Sequence, residues 1–231
     1  MKVLVAGGQG QVGQCLQMQA VGSRHEFIFS GRAQLDLMEA DAPARVLDQV
    51  RPDLVINLAA CTAVDAAEVA EAEAGAVNAD GAEAVAKAAA RAGAPLIHLS
   101  TDYVFSGTAG RAMHERDTPD PINAYGRSKW AGERAVAAAH AHHLILRTEW
   151  LYSPFGHNFL RTMLRLAGER AVVDVVDDQV GAPTSGRDLA DGLLRLVDII
   201  AGSTARAELA WGTYHLTAAG STSWAGFAET I

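Results

Sequence analysis

Only two cysteines, Cys15 and Cys61, occur in 231 residues, too few for a disulfide framework, so a reducing compartment, the cytoplasm, is expected. Cationic excess is also missing. The chain sets 19 Lys and Arg against 27 Asp and Glu, a formal net charge of −8, so it lacks the basic footprint of a nucleic-acid binder. A polyanionic ligand would have to be held by local donors, either backbone N–H groups or a few arginines. No apolar run approaches the roughly 20 residues of a membrane-spanning helix. The opening stretch, Met1-Lys2-Val3-Leu4-Val5-Ala6, is too short for a secretory signal and leads straight into glycine. Internal repeats and low-complexity linkers are absent. With 49% hydrophobic and 20% charged residues, disorder and collagen-like order are both excluded.

The chain exceeds the roughly 100–200 residues of an ordinary domain but fits one large α/β unit. Short β-branched runs alternate with long alanine-rich segments. Val3–Ala6, Phe27–Ser30, Leu54–Asn57, Leu96–Leu99 and Leu144–Arg147 read as buried strands. Ala63–Ala92, with a break near Asn78, and Ala124–Ala141 read as helical. Uniformly apolar strands separated by helices predict βαβ units in a doubly wound parallel sheet covered on both faces. Pro52 and Pro95 stand just before strands, where a missing N–H is harmless. The pattern divides at Trp150 into a nucleotide-binding part, 1–150, and a smaller partial lobe, 151–231, interleaved with it. In the lobe, helices are predicted from Asn158 to Gly168 and over Asp188–Ile200. Strands are predicted at Val172–Val176 and Tyr214–Leu216, a loop at Gly181–Thr184, and a helix just beginning at Ser223–Ile231.

Gly7-Gly8-Gln9-Gly10-Gln11-Val12-Gly13 follows the first strand and opens a helix. Of the glycines at 7, 10 and 13, the first permits a tight turn, the second lets backbone approach a pyrophosphate, and the third allows close helix–strand packing. Alone the triplet is a tight βα turn; at the head of a βαβ series it predicts a dinucleotide cradle, with Gln11 and Val12 at the helix start. The second strand ends Phe29-Ser30-Gly31-Arg32, with no acid to read a ribose 2′-hydroxyl. Arg32 is placed to meet a 2′-phosphate, favouring NADPH with NADH as the alternative; its plain reading is a solvated arginine. Asp36, beside Leu37, either reaches the adenine edge or caps the next helix.

Tyr125 and Lys129 lie four apart in Tyr125-Gly126-Arg127-Ser128-Lys129, which on a helix places them on one face. A phenol with its ordinary pKa near 10 exchanges protons poorly at neutral pH, and a neighbouring ammonium would lower that pKa. Ser100-Thr101-Asp102 follows the strand ending at Leu99, where a doubly wound sheet presents its ligands, and a hydroxyl there can polarise a carbonyl. Each signal has a bland reading: an amphipathic surface pair for Tyr125 and Lys129, a helix cap or turn for Thr101. Arriving in this order, they point jointly to carbonyl reduction.

These motifs, with Thr62-Ala63-Val64-Asp65, Asp102-Tyr103-Val104-Phe105, Arg147-Thr148-x-Trp150 and Asp178-Gln179-x-Gly181-Ala182-Pro183-Thr184, resemble the extended short-chain dehydrogenase/reductase family. Within it they resemble its dTDP-4-dehydrorhamnose reductase branch. The resemblance implies a Rossmann fold and reduction of a nucleotide-sugar C4 ketone by NADPH or NADH. It implies Tyr125 as proton donor, Lys129 on the nicotinamide ribose and against the phenol, and Thr101 on the keto oxygen. Ala59 and Ala60 would pass under the cofactor. Asp102, Trp150 and Thr62 would contact the sugar, and Asn158 and Gln179 the nucleotide half. Relatives usually have histidine at Cys61 and serine at Glu149, and they continue beyond Ile231 into elements that build the substrate lobe and, in some members, a dimer contact. A homodimer is therefore a candidate assembly and a shortened substrate lobe is expected; no metal ligand is expected.

Three other features read as structural. His140-Ala141-His142-His143 lacks a carboxylate or cysteine at ligand spacing and reads as a helix C-terminus. His98 reads as a satisfied core histidine, and Glu68, Glu71 and Glu73 as a solvated helix face. A related sugar-nucleotide dehydratase would carry glutamate at Tyr103, which disfavours elimination; a non-catalytic NADP-binding subunit would tend to lose Tyr125, Lys129 or Thr101, all of which are present.

Overall fold

The computed structural model describes residues 1–205 and 208–231. Its main sheet is built from β1 (Lys2–Ala6), β2 (Glu26–Ser30), β3 (Leu54–Asn57), β4 (Leu96–Thr101), β5 (His143–Thr148) and β9 (Gly212–His215). These pair in parallel in the order β2-β1-β3-β4-β5-β9. Alternating side chains feed two cores, as a two-residue period requires. Val3 and Val5 join residues of α1 (Gln11–Gln19) and α8 (Gly186–Gly202) on one face. Leu4 and Ala6 join α2 (Ala42–Val50), α5 (Gly81–Ala92) and α6 (Ala124–Ala139) on the other. The chain runs outward from β1 to β2 and then returns to β3 on the far side of β1. That reversal opens a crevice at the carboxyl ends of β1 and β3, where doubly wound sheets bind ligands. Although they follow residue 150, α8 packs in the core of this unit and β9 extends its sheet.

Several elements depart from the sequence reading. Helix α2 was not anticipated; Pro43 lies in its first turn, where it costs no hydrogen bond, and Ala42, Val46, Leu47 and Val50 supply the apolar stripe. The 63–92 segment is three helices, α3 (Val64–Val69), α4 (Glu71–Gly75) and α5, with a π-helical turn at Ala76–Asp80 centred on Asn78. Val172–Val176 forms no strand: β propensity needs a partner, and Val172 and Val176 are exposed. The Gly181–Thr184 loop is flanked by short strands that do find partners. β7 (Val180–Gly181) pairs with β10 (Thr222–Ser223), and β8 (Thr184–Ser185) with β6 (Leu151–Tyr152). Two further helices complete the lobe, α7 (Phe159–Glu169) and α9 (Trp224–Thr230). Among the described residues no helix is long and apolar enough to cross a membrane.

Candidate active site

The glycine turn is a tight fit. Gly7 has φ +79°, and a Cβ there would lie 2.6 Å from the Ala59 nitrogen; one on Gly13 would lie 2.5 Å from the Gly8 carbonyl oxygen. The glycines bring the turn against the loop after β3 and seat α1 on the turn. Helix α1 begins with no side-chain cap on Gly10 and no acid in its first turn, so its N–H groups and positive dipole end are left for an anion. These features fit a pyrophosphate. Val12 is buried in the core. Gln11 reaches the lobe instead: its amide donates to the His157 carbonyl, and its carbonyl accepts from Ser153 and Asn158.

At the end of β2, Arg32 is exposed and paired with Asp36, Nε to Oδ2 3.1 Å. Asp36 also accepts the Met38 N–H, and that bond, then Arg32, holds its carboxyl below the usual range. The residue thus closes its own turn; α2 is preceded by Asp41, not Asp36. Leu37 is a core side chain packed against Gly81, so it could meet an adenine only through its backbone.

The candidate reacting residues come from α6 and the end of β4. Asn123 caps α6 by accepting the Gly126 N–H at 2.7 Å, and Glu68 accepts the Ala124 N–H at 2.6 Å. Glu71 pairs with Arg127, so two of the acids read as a solvated face in fact tie α3 and α4 to the start of this helix. Along α6 the buried stripe is Tyr125, Ser128, Lys129, Gly132, Glu133 and Val136, a helical period with polar groups inside. Tyr125 is 8% exposed and its ring meets Tyr103 edge-on. Burial pushes the phenol above its usual range, and hydrogen bonding with the Thr101 side chain pulls it partly back. Thr101 also donates to Asp102 at 3.0 Å and accepts the Tyr103 N–H, so it is both a turn cap and a neighbour of the phenol.

Lys129 departs from one of its two expected roles, the lowering of the phenol. It is 2% exposed and donates to the Leu99 carbonyl at 2.8 Å, while the groups acting on the phenol are Thr101, Asp102, Tyr103 and Cys61. The expected lowering of Tyr125 by Lys129 is therefore replaced by a rise from burial. Lys129 itself is pushed down to about 8 by burial, opposed by Glu133. Asp102, half-buried beside Glu149, is raised to about 7 by burial first and by that second carboxylate next.

Ala59 and Ala60 lie in the loop after β3, in line with the cradle; the Ala59 N–H is held by the Asn57 side chain. Asn78 fastens this loop to α6. From the π-helical turn its amide donates to the Cys61 carbonyl and Ser128 Oγ, each at 2.9 Å, and its carbonyl accepts the Cys61 N–H at 2.8 Å. Thr62 is exposed next to it.

On the sugar side Trp150 sits at φ +44°, a left-handed backbone that turns the chain after β5, and stacks on Trp224 with centroids 3.6 Å apart. One indole face is therefore already occupied. Trp224 donates to Gln179, so Gln179 belongs to this aromatic cluster. Asn158 caps α7 through the Arg161 N–H and donates to Gln11, Ser153 and Phe155. Its side-chain amide is thus committed to the fold on both its oxygen and its nitrogen.

His98 is only half satisfied: Nδ1 meets the Asn57 amide, while Nε2 is buried with no partner, and burial holds the ring neutral. His140 bonds the Ala94 carbonyl and His143 the His140 carbonyl, so one ring of that run serves the helix end. Sequence reading gave no role to Trp224 or Glu133, and none to the side chains of Asn78 and Ser100. It carried three signals: the helix break near Asn78, the position of Ser100 at the strand end, and the spacing of four between Lys129 and Glu133.

The family described as RmlD substrate binding domain matches residues 1–231. A dTDP-4-dehydrorhamnose reductase of Burkholderia thailandensis is 44% identical over 231 residues, covering 100% of this chain and 77% of that protein. The Escherichia coli protein of the same name is 41% identical over 234 residues, with 100% and 77% covered. A solved reductase of this type from Clostridium acetobutylicum superposes with TM-score 0.92 at 39% identity, covering 99% of this chain and 78% of that one. Another, from Bacillus anthracis in complex with NADP, superposes with TM-score 0.92 at 38% identity, again covering 99% and 78%. The glycine cradle, the Tyr-x-x-x-Lys helix and these likenesses agree: the chain belongs to the dTDP-4-dehydrorhamnose reductase family, NAD(P)H-dependent oxidoreductases with the RmlD fold.

Proposed function

We propose that this chain reduces the C4 ketone of dTDP-4-dehydro-L-rhamnose to dTDP-L-rhamnose with NADPH, NADH serving as the alternative. The supporting observation is the meeting of Tyr125, Thr101 and Lys129 at the carboxyl end of β4, beside a glycine cradle shaped for a pyrophosphate. The cofactor supplies a hydride to the ketone carbon when bound. Tyr125 gives its proton to the oxygen as negative charge develops there, and burial keeps the phenol protonated, the form a donor needs. Thr101 Oγ1, at the end of β4, orients that oxygen. Gly7, Gly10 and Gly13 admit the pyrophosphate, Ala59 and Ala60 line the floor, and Lys129 holds the nicotinamide ribose. Arg32 meets a 2′-phosphate after exchanging its Asp36 partner, and Asp36 lies towards the adenine edge. Asp102, Thr62 and the open side of Trp150 face the sugar. The unpaired Cys15 and Cys61 suit a cytoplasmic setting. A homodimer remains part of the proposal, to be read by sedimentation.

The test is direct. NADPH and dTDP-4-dehydrorhamnose are mixed with the protein and absorbance of the reduced nicotinamide is followed; oxidation dependent on both protein and sugar is expected. Tight NADPH binding with no oxidation would overturn the reductase reading in favour of a regulatory, cofactor-binding role.

A further inference from the structure

Glu133 lies on the same buried stripe as Tyr125 and Lys129, one helical turn beyond the lysine, and its side chain is 2% exposed. Its carboxylate is held on every side. Ser100 donates to Oε1 at 2.6 Å; Arg147 donates from Nε to Oε1 at 2.9 Å and from Nη2 to Oε2 at 2.6 Å. Ser100 and Arg147 are paired neighbours in the β4–β5 ladder, so strand register delivers both donors to one point beneath α6. Arg147 is itself fixed, its guanidinium 5.0 Å from the Phe105 ring centroid and 6.0 Å from that of Trp130.

A carboxylate in the dry interior costs several kcal/mol unless it is paired, and a fork–fork arginine contact alone could discharge that cost. Lys129 is equally buried, and it donates to a neutral carbonyl, that of Leu99. Among the described residues the charged and titratable groups around it are Glu133 and the neutral phenol of Tyr125 on its own helix, the neutral His98 on β4, and Arg147 on β5, which reaches it through Glu133. Glu133 is the only anion in that set.

We propose that Glu133, clamped by Arg147 and Ser100, is a positioning residue that keeps the Lys129 ammonium charged so that it can hold the cofactor. The inference rests on the reading of Lys129 as a cofactor-holding residue. The division of labour is specific. Arg147 and Ser100 fix where the carboxylate sits, and Glu133 supplies the negative field that offsets the burial of Lys129. An opposite charge within about 4–6 Å moves a pKa by roughly one to three units.

NADPH affinity is measured by fluorescence titration between pH 6 and 9.5, with thermal melts at each pH, on the wild type and four variants. In the wild type, affinity is expected to fall above about pH 8 as Lys129 loses its proton, and Lys129→Met removes this fall. Glu133→Gln moves the fall down by about one pH unit, weakening binding roughly fivefold at pH 8 and approaching tenfold by about pH 9, but little at pH 6. Glu133→Asp keeps the fall near its wild-type position even though the melting temperature drops. Arg147→Lys, which loosens the fork but keeps a cation that leaves Glu133 ionised, holds the fall near the wild-type pH even though the melting temperature drops. Uniform weakening at every pH in Glu133→Gln, or the same downward shift in Arg147→Lys or Glu133→Asp, overturns the proposal in favour of a purely structural pair. Should Glu133→Gln fail to fold, the Glu133→Asp and Arg147→Lys profiles decide between the same outcomes. If Lys129→Met binds NADPH like the wild type at every pH, the reading of Lys129 fails and takes the role of Glu133 with it. If Lys129→Met abolishes the fall while Glu133→Gln does not shift it, only the role of Glu133 fails.

Discussion

In the proposed reaction Tyr125 gives the proton, and its environment favours the neutral phenol over the phenolate. Burial raises it, and Thr101 offsets only part of the rise. Such a group is suited to donating a proton when a carbonyl oxygen beside it becomes basic, and a positioned acid of this kind contributes roughly 10²–10⁴-fold. Tyr125→Phe removes the proton and leaves the ring, so turnover should fall by about that factor while NADPH affinity stays within about twofold. Stopped-flow hydride transfer with parallel fluorescence titration checks both; a variant turning over at the wild-type rate removes Tyr125 from the role. The Tyr125–Lys129 spacing was legible because two residues four apart on a helix share a face whatever surrounds it. The direction of the lysine's charge was not, because it depends on the Leu99 carbonyl, which comes from β4.

Helix α6 concentrates most of the site on one element, and its first turn is held from outside. Asn123 and Glu68 satisfy two of its opening N–H groups, and Gly126 and Gly132 allow close approach to the backbone of Tyr103 and Asn78. Asn123→Ala should destabilise the protein by about 1 kcal/mol, the usual cost of losing a cap. Urea unfolding measures it, and no shift in the midpoint would show that Glu68 alone suffices. Apolar periodicity revealed α6, α8 and the strands, whose residues see the same environment along their length. It failed where an element depends on a partner from elsewhere. Val172–Val176 has the residues of a strand but no neighbour to pair with, whereas Val180–Gly181 and Thr184–Ser185 look like turn residues and are paired. The π-helical turn at Asn78 follows the same rule: the break was visible in the sequence, but its purpose, aiming an amide at both Cys61 and Ser128, was not.

Across the whole molecule, buried ionisable groups couple stability to pH in two windows. Asp102 titrates near 3.8 unfolded and at about 7 in the fold, so between those values the folded chain holds more protons and stability falls as pH rises. Lys129 titrates near 10.5 unfolded and at about 8 folded, so between 8 and 10.5 the unfolded chain holds more protons and stability rises with pH. Subtracting the unfolding free energies of Asp102→Asn from those of the wild type should expose the first slope, and Lys129→Met the second. Flat difference curves would show that neither group is titrating in these windows.

Parallel order, two-faced burial and the glycine cradle were already present in the amino-acid pattern, because each follows from local periodicity or from the absence of a Cβ at one position. The chemical family was readable for the same reason, its motifs being short runs on single elements. Which charges neutralise one another was settled by folding. Glu133, Arg147 and Ser100 come from three separate stretches, and Trp150 and Trp224 from opposite ends of the lobe. Their meeting depends on strand register and helix packing, and electrostatic energy in a dry interior varies too steeply with distance for residue identity to encode it.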